Sequence, residues 1–262
     1  MTQAATRRTP GTPCWTSLMV HSLAATQDFY HALFGWEFTP GPQQLGAYVR
    51  AVQGGRPVAG LSELPPERHL PVTWSTYLAS DDADETAEMI RACGGTVAVG
   101  PLDADEAGRM LIAADPEGAV FGVWQEDTYP AAEEAGAPGT PVWHELLTRE
   151  GAGVLKFYQM VFGYRTEAAA AEDPGCRTLR LGDRPVCAIQ SVGDALPRGR
   201  GPFWMTHFAV ADVDDTVRRV TALGGQVVRP PSRGAAGRRA TLRDPEGAAF
   251  TVVSADREVG LA

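Results

Sequence analysis

The chain has 262 residues, 44% of them hydrophobic, with 23 basic against 32 acidic side chains and a net charge of −9. That is enough apolar material for one large or two medium cores, and a negative surface argues against nucleic acid as a partner. The four cysteines, Cys14, Cys93, Cys176 and Cys187, form no CxxC pair, so the expectation is reduced thiols in a cytoplasmic protein rather than a disulfide framework or zinc knuckle. The opening "MTQAATRRTPGTP" lacks the apolar core of a secretory signal, and no apolar run approaches the ~18 residues of a membrane span.

In chain order, Trp15 to Val20 reads as a short apolar strand. A helix follows and ends near "FGW", where Gly35 supplies the C-terminus. Short strands are expected near Glu37, across 47–52 and across 57–61. The order then starts again. "TWSTYLAS" from Thr73 reads as a strand, and "DDADETAEMIRAC" from Asp81 as a helix with acidic residues at its start and "GG" beyond its last turn. "TVAVG", "RMLIAA" and "AVFGVW" read as three more strands. The stretch "EDTYPAAEEAGAPGTP", Glu126 to Pro141, has the composition of a linker.

Beyond the linker the same text returns. "CWTSLMV" at Cys14 is echoed by "VWHELLT" at Val142, and "DFYHALFGWEF" at Asp28 by "KFYQMVFGYRT" at Lys156. "WSTYLASDDADETAEMIRACGGTV" at Trp74 is echoed by "WMTHFAVADVDDTVRRVTALGGQV" at Trp204, and "DPEGAVFGV" at Asp115 by "DPEGAAFTV" at Asp244. The offsets stay between 128 and 130 residues, far longer than a solenoid period. The chain is therefore read as an α+β protein of two tandem domains, 1–127 and 142–262, joined by a linker at 128–141. Each domain holds two β-α-β-β-β modules. Whether modules pair within a copy or across copies is left open.

Three motifs are set aside on physical grounds. The carboxylates Asp81, Asp82, Asp84, Asp212, Asp214 and Asp215 lack the glycine and closing glutamate of a calcium loop and read as helix caps. "GAGVLK" from Gly151 lies where the first copy starts a helix and is read as a helix start, not a dinucleotide loop. "HELLT" from His144 is half of HExxH and falls on an expected strand.

Paired β-α-β-β-β modules, the signature "FYHALFGW", the "GG" turn and the "DPEG" hairpin together resemble the vicinal oxygen chelate superfamily of glyoxalases, extradiol dioxygenases and bleomycin-resistance proteins. The likeness covers nearly all of both copies, and is greatest to two-domain actinobacterial members, some of which accompany antibiotic pathways. It implies that each pair of modules bends into a half-open barrel around a small-molecule cavity. Metal-using members place His, Glu or Gln at strand positions facing that cavity, where a divalent ion acts as a Lewis acid. By this resemblance those positions correspond to Trp15, Gly60, Tyr77 and Gly122 in the first copy, and to Trp143, Ala188, His207 and Thr251 in the second. A neighbouring register on the first strand brings in His144 or Glu145.

One imidazole cannot hold a catalytic metal, which needs about three protein ligands. Neither a metal nor another cofactor is expected. Strand alternation gives the cavity-facing sets Trp15, Ser17, Met19, Tyr77, Gly122 and Trp124, and Trp143, Glu145, Leu147, His207, Thr251 and Val253. Flat faces with one polar tip suit a hydrophobic, aromatic small molecule. The leading expectation is a metal-free binding protein, monomeric or homodimeric, with no nucleic-acid or membrane partner. The alternative is an enzyme in which His207 and Glu145 form an acid–base pair; a metal-dependent glyoxalase or dioxygenase ranks lower.

Overall fold

The structure, a computed structural model, describes residues 8–42, 46–65, 71–104, 108–126, 136–168, 175–196, 201–234 and 237–254. The first repeat contains β1 (Pro13–Val20), α1 (Leu23–Phe34), β2 (Glu37–Pro40), β3 (Tyr48–Gln53) and β4 (Arg56–Glu63), then β5 (Trp74–Ser80), α2 (Ala83–Ala92), β6 (Thr96–Asp103), β7 (Gly108–Ala114) and β8 (Val120–Glu126). The second repeats the order with β9 (Pro141–Thr148), α3 (Gly151–Phe162), β10 (Arg165–Ala168), β11 (Cys176–Leu181) and β12 (Arg184–Ser191), then β13 (Phe203–Ala209), α4 (Val213–Ala222), β14 (Gln226–Gly234), β15 (Gly237–Arg243) and β16 (Ala249–Ser254). No described helix is long and apolar enough to cross a membrane. "GAGVLK" opens α3 and "HELLT" lies in β9, as the sequence suggests.

Local chemistry fixes the helix ends. Asp82 Oδ1 accepts the backbone N–H groups of Asp84 and Glu85, both at 2.9 Å, and Asp212 Oδ1 accepts that of Asp215 at 2.8 Å. These carboxylates satisfy N–H groups that have no partner within the helix. Gly35 and Gly163 close α1 and α3 with φ of 74° and 71°, a left-handed conformation that costs glycine no Cβ clash.

The strands form two eight-stranded mixed sheets, β2-β3-β4-β1-β5-β8-β7-β6 and β10-β11-β12-β9-β13-β16-β15-β14. Both orders are open rather than closed into a barrel. Each sheet is thus written by one repeat, whereas the compact units are not. One unit comprises Met1–Trp15, Ser75–Ala131 and His144–Trp204; the other comprises Thr16–Trp74, Ala132–Trp143 and Met205–Ala262. Modules of different repeats share each core. In the first unit Leu78, Ile90 and Phe121 pack with Leu146, Phe157 and Tyr158. In the second, Tyr30, Trp36 and Trp74 pack with Phe208 and Phe250.

A buried hydrogen-bond chain recurs in both cores. In the second unit Trp74 Nε1 donates to Tyr30 Oη at 3.2 Å, and that hydroxyl donates to Asp244 Oδ2 at 3.0 Å. In the first, Trp204 Nε1 donates to Tyr158 Oη at 3.1 Å, which donates to Asp115 Oδ2 at 3.2 Å. The other carboxylate oxygen holds the DPEG turn: Asp244 Oδ1 accepts the Ala248 N–H at 2.8 Å, and Asp115 Oδ1 accepts those of Glu117 and Ala119 at 2.9 and 3.0 Å. The tyrosine comes from one repeat and the aspartate from the other. Burial pushes the Asp244 carboxyl up to about 6 and raises that of Asp115.

This gives a signed pH dependence. The folded state holds the Asp244 proton more tightly than the unfolded chain, where the value is 3.8, so stability from this group is greatest at low pH and is lost as pH rises toward 6. The span corresponds to a contribution on the order of 3 kcal/mol. Asp244→Asn removes the titration, so the stability advantage of the wild type over the variant should widen as pH falls from about 6 to about 4 in parallel urea melts. A gap that stays constant, or narrows, contradicts the assignment.

Candidate functional site

Successive strand residues point to opposite faces, and in each unit the helices take one face. In the first unit the core face of β5 and β8 carries Leu78, Phe121 and Val123, leaving Tyr77, Gly122 and Trp124 on the open face. Tyr77 and Gly122 are register partners across the parallel β5–β8 pair. A Cβ built on Gly122 would stand 2.1 Å from Tyr77 Cδ1 and 2.6 Å from its Cγ. The tyrosine ring therefore lies on the glycine backbone, and only glycine fits beneath it. Trp124 meets the same ring edge-on, with centroids 6.4 Å apart, while Ile112 and Met110 pair with Gly122 and Trp124 from β7.

The rim of this aromatic floor is a shallow open cleft lined by Arg8, Cys14, Ala79, Asp81, Trp124 and Glu126. Cys14 Sγ donates to the Tyr77 carbonyl at 3.4 Å. Burial pushes its thiol up to about 12, so it is not a nucleophile at neutral pH. Burial also raises the Glu126 carboxyl. Trp15 belongs to this unit and is half-buried.

In the second unit, Ser17 pairs with Gly60 across β1–β4. Tyr48 covers Gly60 as Tyr77 covers Gly122: a Cβ on Gly60 would fall 2.4 Å from Tyr48 Cζ. Tyr48 did not stand out in the sequence; the available signal was a glycine in a strand, which marks a place where another group approaches closely. Met19 shares the face of Ser17 but is 42% exposed. His207 pairs with Thr251 across β13–β16, both buried, and Thr251 Oγ1 lies 3.3 Å from Thr241 Oγ1. Trp143 also falls in this unit and is half-buried.

Glu145 and Leu147 belong to the first unit, where Glu145 pairs with Ala188 across β9–β12. On the first strands Ser17 and Glu145, two residues beyond Trp15 and Trp143, are the register partners of Gly60 and Ala188. A two-residue shift preserves the face, so alternation alone could not detect it. His144 lies on the opposite, core side, its Nδ1 2.9 Å from Thr76 Oγ1. The second unit has the matching contact between Thr16 and Thr206, 3.0 Å apart. His144 is therefore a structural hydrogen-bonding residue. Glu145 and His207, the candidate acid–base pair, fall in different compact units.

The eight corresponding positions do not fit the resident divalent ion of metal-using members. Taking the register partners on the first strands, they are Ser17, Gly60, Tyr77, Gly122, Glu145, Ala188, His207 and Thr251. Only Glu145 and His207 offer side chains typical of such ligands, and two glycines are covered by tyrosine rings. Among the described residues no group of three or more His, Cys, Asp or Glu side chains could hold a metal ion.

Comparison with known proteins places this geometry. The profile of a glyoxalase-like domain matches residues 15–124 and again 146–253. The chain belongs to the glyoxalase-like family of the vicinal oxygen chelate superfamily. The anthracycline biosynthesis protein DnrV of Streptomyces peucetius is 37% identical, with 95% of this chain and 94% of DnrV covered. A putative glyoxylase, CFP32, of Mycobacterium tuberculosis is 36% identical over 93% and 94% of the respective chains. Among solved structures, the Mn(II)-bound glyoxalase of Novosphingobium aromaticivorans aligns with a TM-score of 0.68 at 19% identity, over 94% of this chain and 83% of the other. The 2,3-dioxygenase LapB of Pseudomonas sp. KL28 aligns at 0.66 and 16% identity, over 94% and 93%. These two likenesses establish the glyoxalase-like fold alone.

The glycine beneath Tyr77 provides a test. Gly122→Ala should destabilise the protein by about 1–3 kcal/mol through overpacking. In a Tyr77→Ala background the same change should cost far less, since the overlapping ring is gone. A double-mutant cycle by urea denaturation measures the coupling; additive effects would show that the ring does not constrain position 122.

Proposed function

We propose that this protein binds a planar aromatic small molecule on the open face formed by Tyr77, Gly122 and Trp124, and does so without a resident metal. The observation that carries the reading is the Tyr77 ring seated on Gly122. Where metal-using relatives place a carboxylate, this chain has the Tyr77 ring, 8% exposed, seated on glycine, with the half-buried Trp124 edge-on beside it. Such a surface attracts a conjugated ring by dispersion and quadrupole contacts, about 0.5–1.5 kcal/mol per stacked pair beyond burial. Trp15 and Met110 extend the apolar surroundings available within the same unit.

The relatives support the ligand class. DnrV is named for anthracycline biosynthesis, and anthracyclines carry a planar polycyclic quinone core. The proposed role is to sequester, hand over or assist the conversion of a molecule of that kind. On this reading Ser17, Trp143, Leu147, His207 and Thr251 contribute to small-molecule contacts of their own units.

Titration with a neutral anthraquinone, read by tryptophan fluorescence, tests the proposal. We expect saturable quenching, and a loss of about 1–3 kcal/mol in affinity for Trp124→Ala, the range for removing a stacked aromatic anchor. Added Mn(II), Fe(II) or Zn(II), at concentrations matched to the protein, should change neither the affinity nor the melting temperature. Absence of quenching, or binding that requires one of these ions, would overturn the reading.

A further inference from the structure

The open face of β13–β16–β15–β14 in the second unit differs in chemistry from its counterpart in the first. Where β7 carries Met110, Ile112 and Ala114 on that face, the aligned residues of β15 are Arg239, Thr241 and Arg243. Arg239 pairs with Val253, Thr241 with Thr251 and Arg243 with Ala249, all on the side opposite the core residues Ala240, Leu242, Phe250 and Val252. Across the other edge, Arg229 of β14 pairs with Thr241. Thr241 thus has three arginines as its neighbours on this face. By strand geometry the Cα atoms of Arg239 and Arg243 lie about 7 Å from that of Thr241 along its own strand, and that of Arg229 about 5 Å away across the ladder, within the length of an arginine side chain.

Among the described residues these cations lack the counter-ions that four other arginines have. Arg109, Arg180, Arg218 and Arg238 are each ion-paired with a carboxylate. Among the described residues Arg229, Arg239 and Arg243 make no such pair, and Arg243 Nε is buried without a hydrogen-bond partner. Arg238, one residue from Arg239 and on the opposite face, is the contrast: its Nε and Nη2 grip the Asp214 carboxylate at 2.6 and 2.8 Å. No Asp or Glu occupies the open face of β13, β15 or β16. In a chain of net charge −9, three clustered cations repel one another unless an anion joins them.

We propose that this face is a binding site for the oxyanion of a small organic molecule, a carboxylate or phosphate monoester. Arg239 and Arg243 would grip it, Arg229 would add charge, and the one hydroxyl proton left free by the Thr241–Thr251 pair would donate a hydrogen bond. Guanidinium forks match both oxyanions bidentately. Buried His207 and Thr251 form the floor beside them. The site is independent of the aromatic face proposed for the first unit.

The test uses the full-length protein, with naphthalene-2-carboxylate and phenyl phosphate as probes at low salt. Calorimetry gives affinity, and the arginine Nε–Hε resonances give location. We expect saturable binding of at least one probe, a shift of the Arg243 resonance, and at least about tenfold weaker binding in Arg239→Gln/Arg243→Gln. Should the double variant fail to fold, Arg239→Lys keeps the charge but loses the fork and should weaken binding measurably. Arg184→Gln, an exposed position on β12, should leave binding unchanged. No saturation up to about 10 mM, equal binding by the arginine variants, or an equal loss in Arg184→Gln would overturn the site. Neutral anthraquinone run alongside separates the two faces: quenching that persists in the arginine variants keeps the aromatic reading whatever the oxyanion result, and oxyanion binding without quenching does the reverse.

Discussion

The hydrogen bond from a buried tyrosine to the aspartate of the DPEG turn organises each core. A carboxylate taken from water is costly unless it is paired or hydrogen-bonded. Here one oxygen of Asp244 or Asp115 closes its own turn, and the other accepts the hydroxyl of Tyr30 or Tyr158. The indole N–H of Trp74 or Trp204 then satisfies that hydroxyl. Because the aspartate belongs to one repeat and the tyrosine to the other, the chain joins a turn, a helix and a strand from distant parts of the sequence. Each element has polar atoms that only the others can satisfy.

With the helix-facing side committed to these cores, the opposite sheet faces are free to diverge. On β5 and β8 the outcome is a ring on a glycine, which leaves no volume for a ligating side chain at position 122. On β15 the aligned residues became arginine and threonine. A duplicated scaffold can change one set of alternating positions without disturbing the other, since the two sets touch different surroundings. The same backbone period thus supports an apolar face in one unit and a cationic face in the other.

Much of this was legible from the chain. The repeat at 128–130 residues, the strand and helix order and the capping aspartates are local or periodic signals, and the structure reproduces the element order. Tyr77 pairs with Gly122, and His207 with Thr251, across parallel strands. What was not legible depends on which strand lies beside which. The Ser17–Gly60 and Glu145–Ala188 registers follow from parallel pairing with β4 and β12, and a shift of two leaves the alternation intact. The Tyr48 and Tyr77 rings over glycines need side-chain direction as well as register. The buried Tyr–Asp contact joins residues more than 200 positions apart in one unit, a distance over which sequence spacing carries no information.

The central claim is that modules of different repeats close each core through that contact. Expressing residues 1–127 and 142–262 as separate chains tests it most directly, with sedimentation and urea melts on each half alone and on the mixture. The account predicts that neither half folds cooperatively as a monomer, because its helix faces and its DPEG aspartate have lost their partners, and that mixing restores a cooperative one-to-one assembly. A half that is monomeric and melts cooperatively on its own would contradict it.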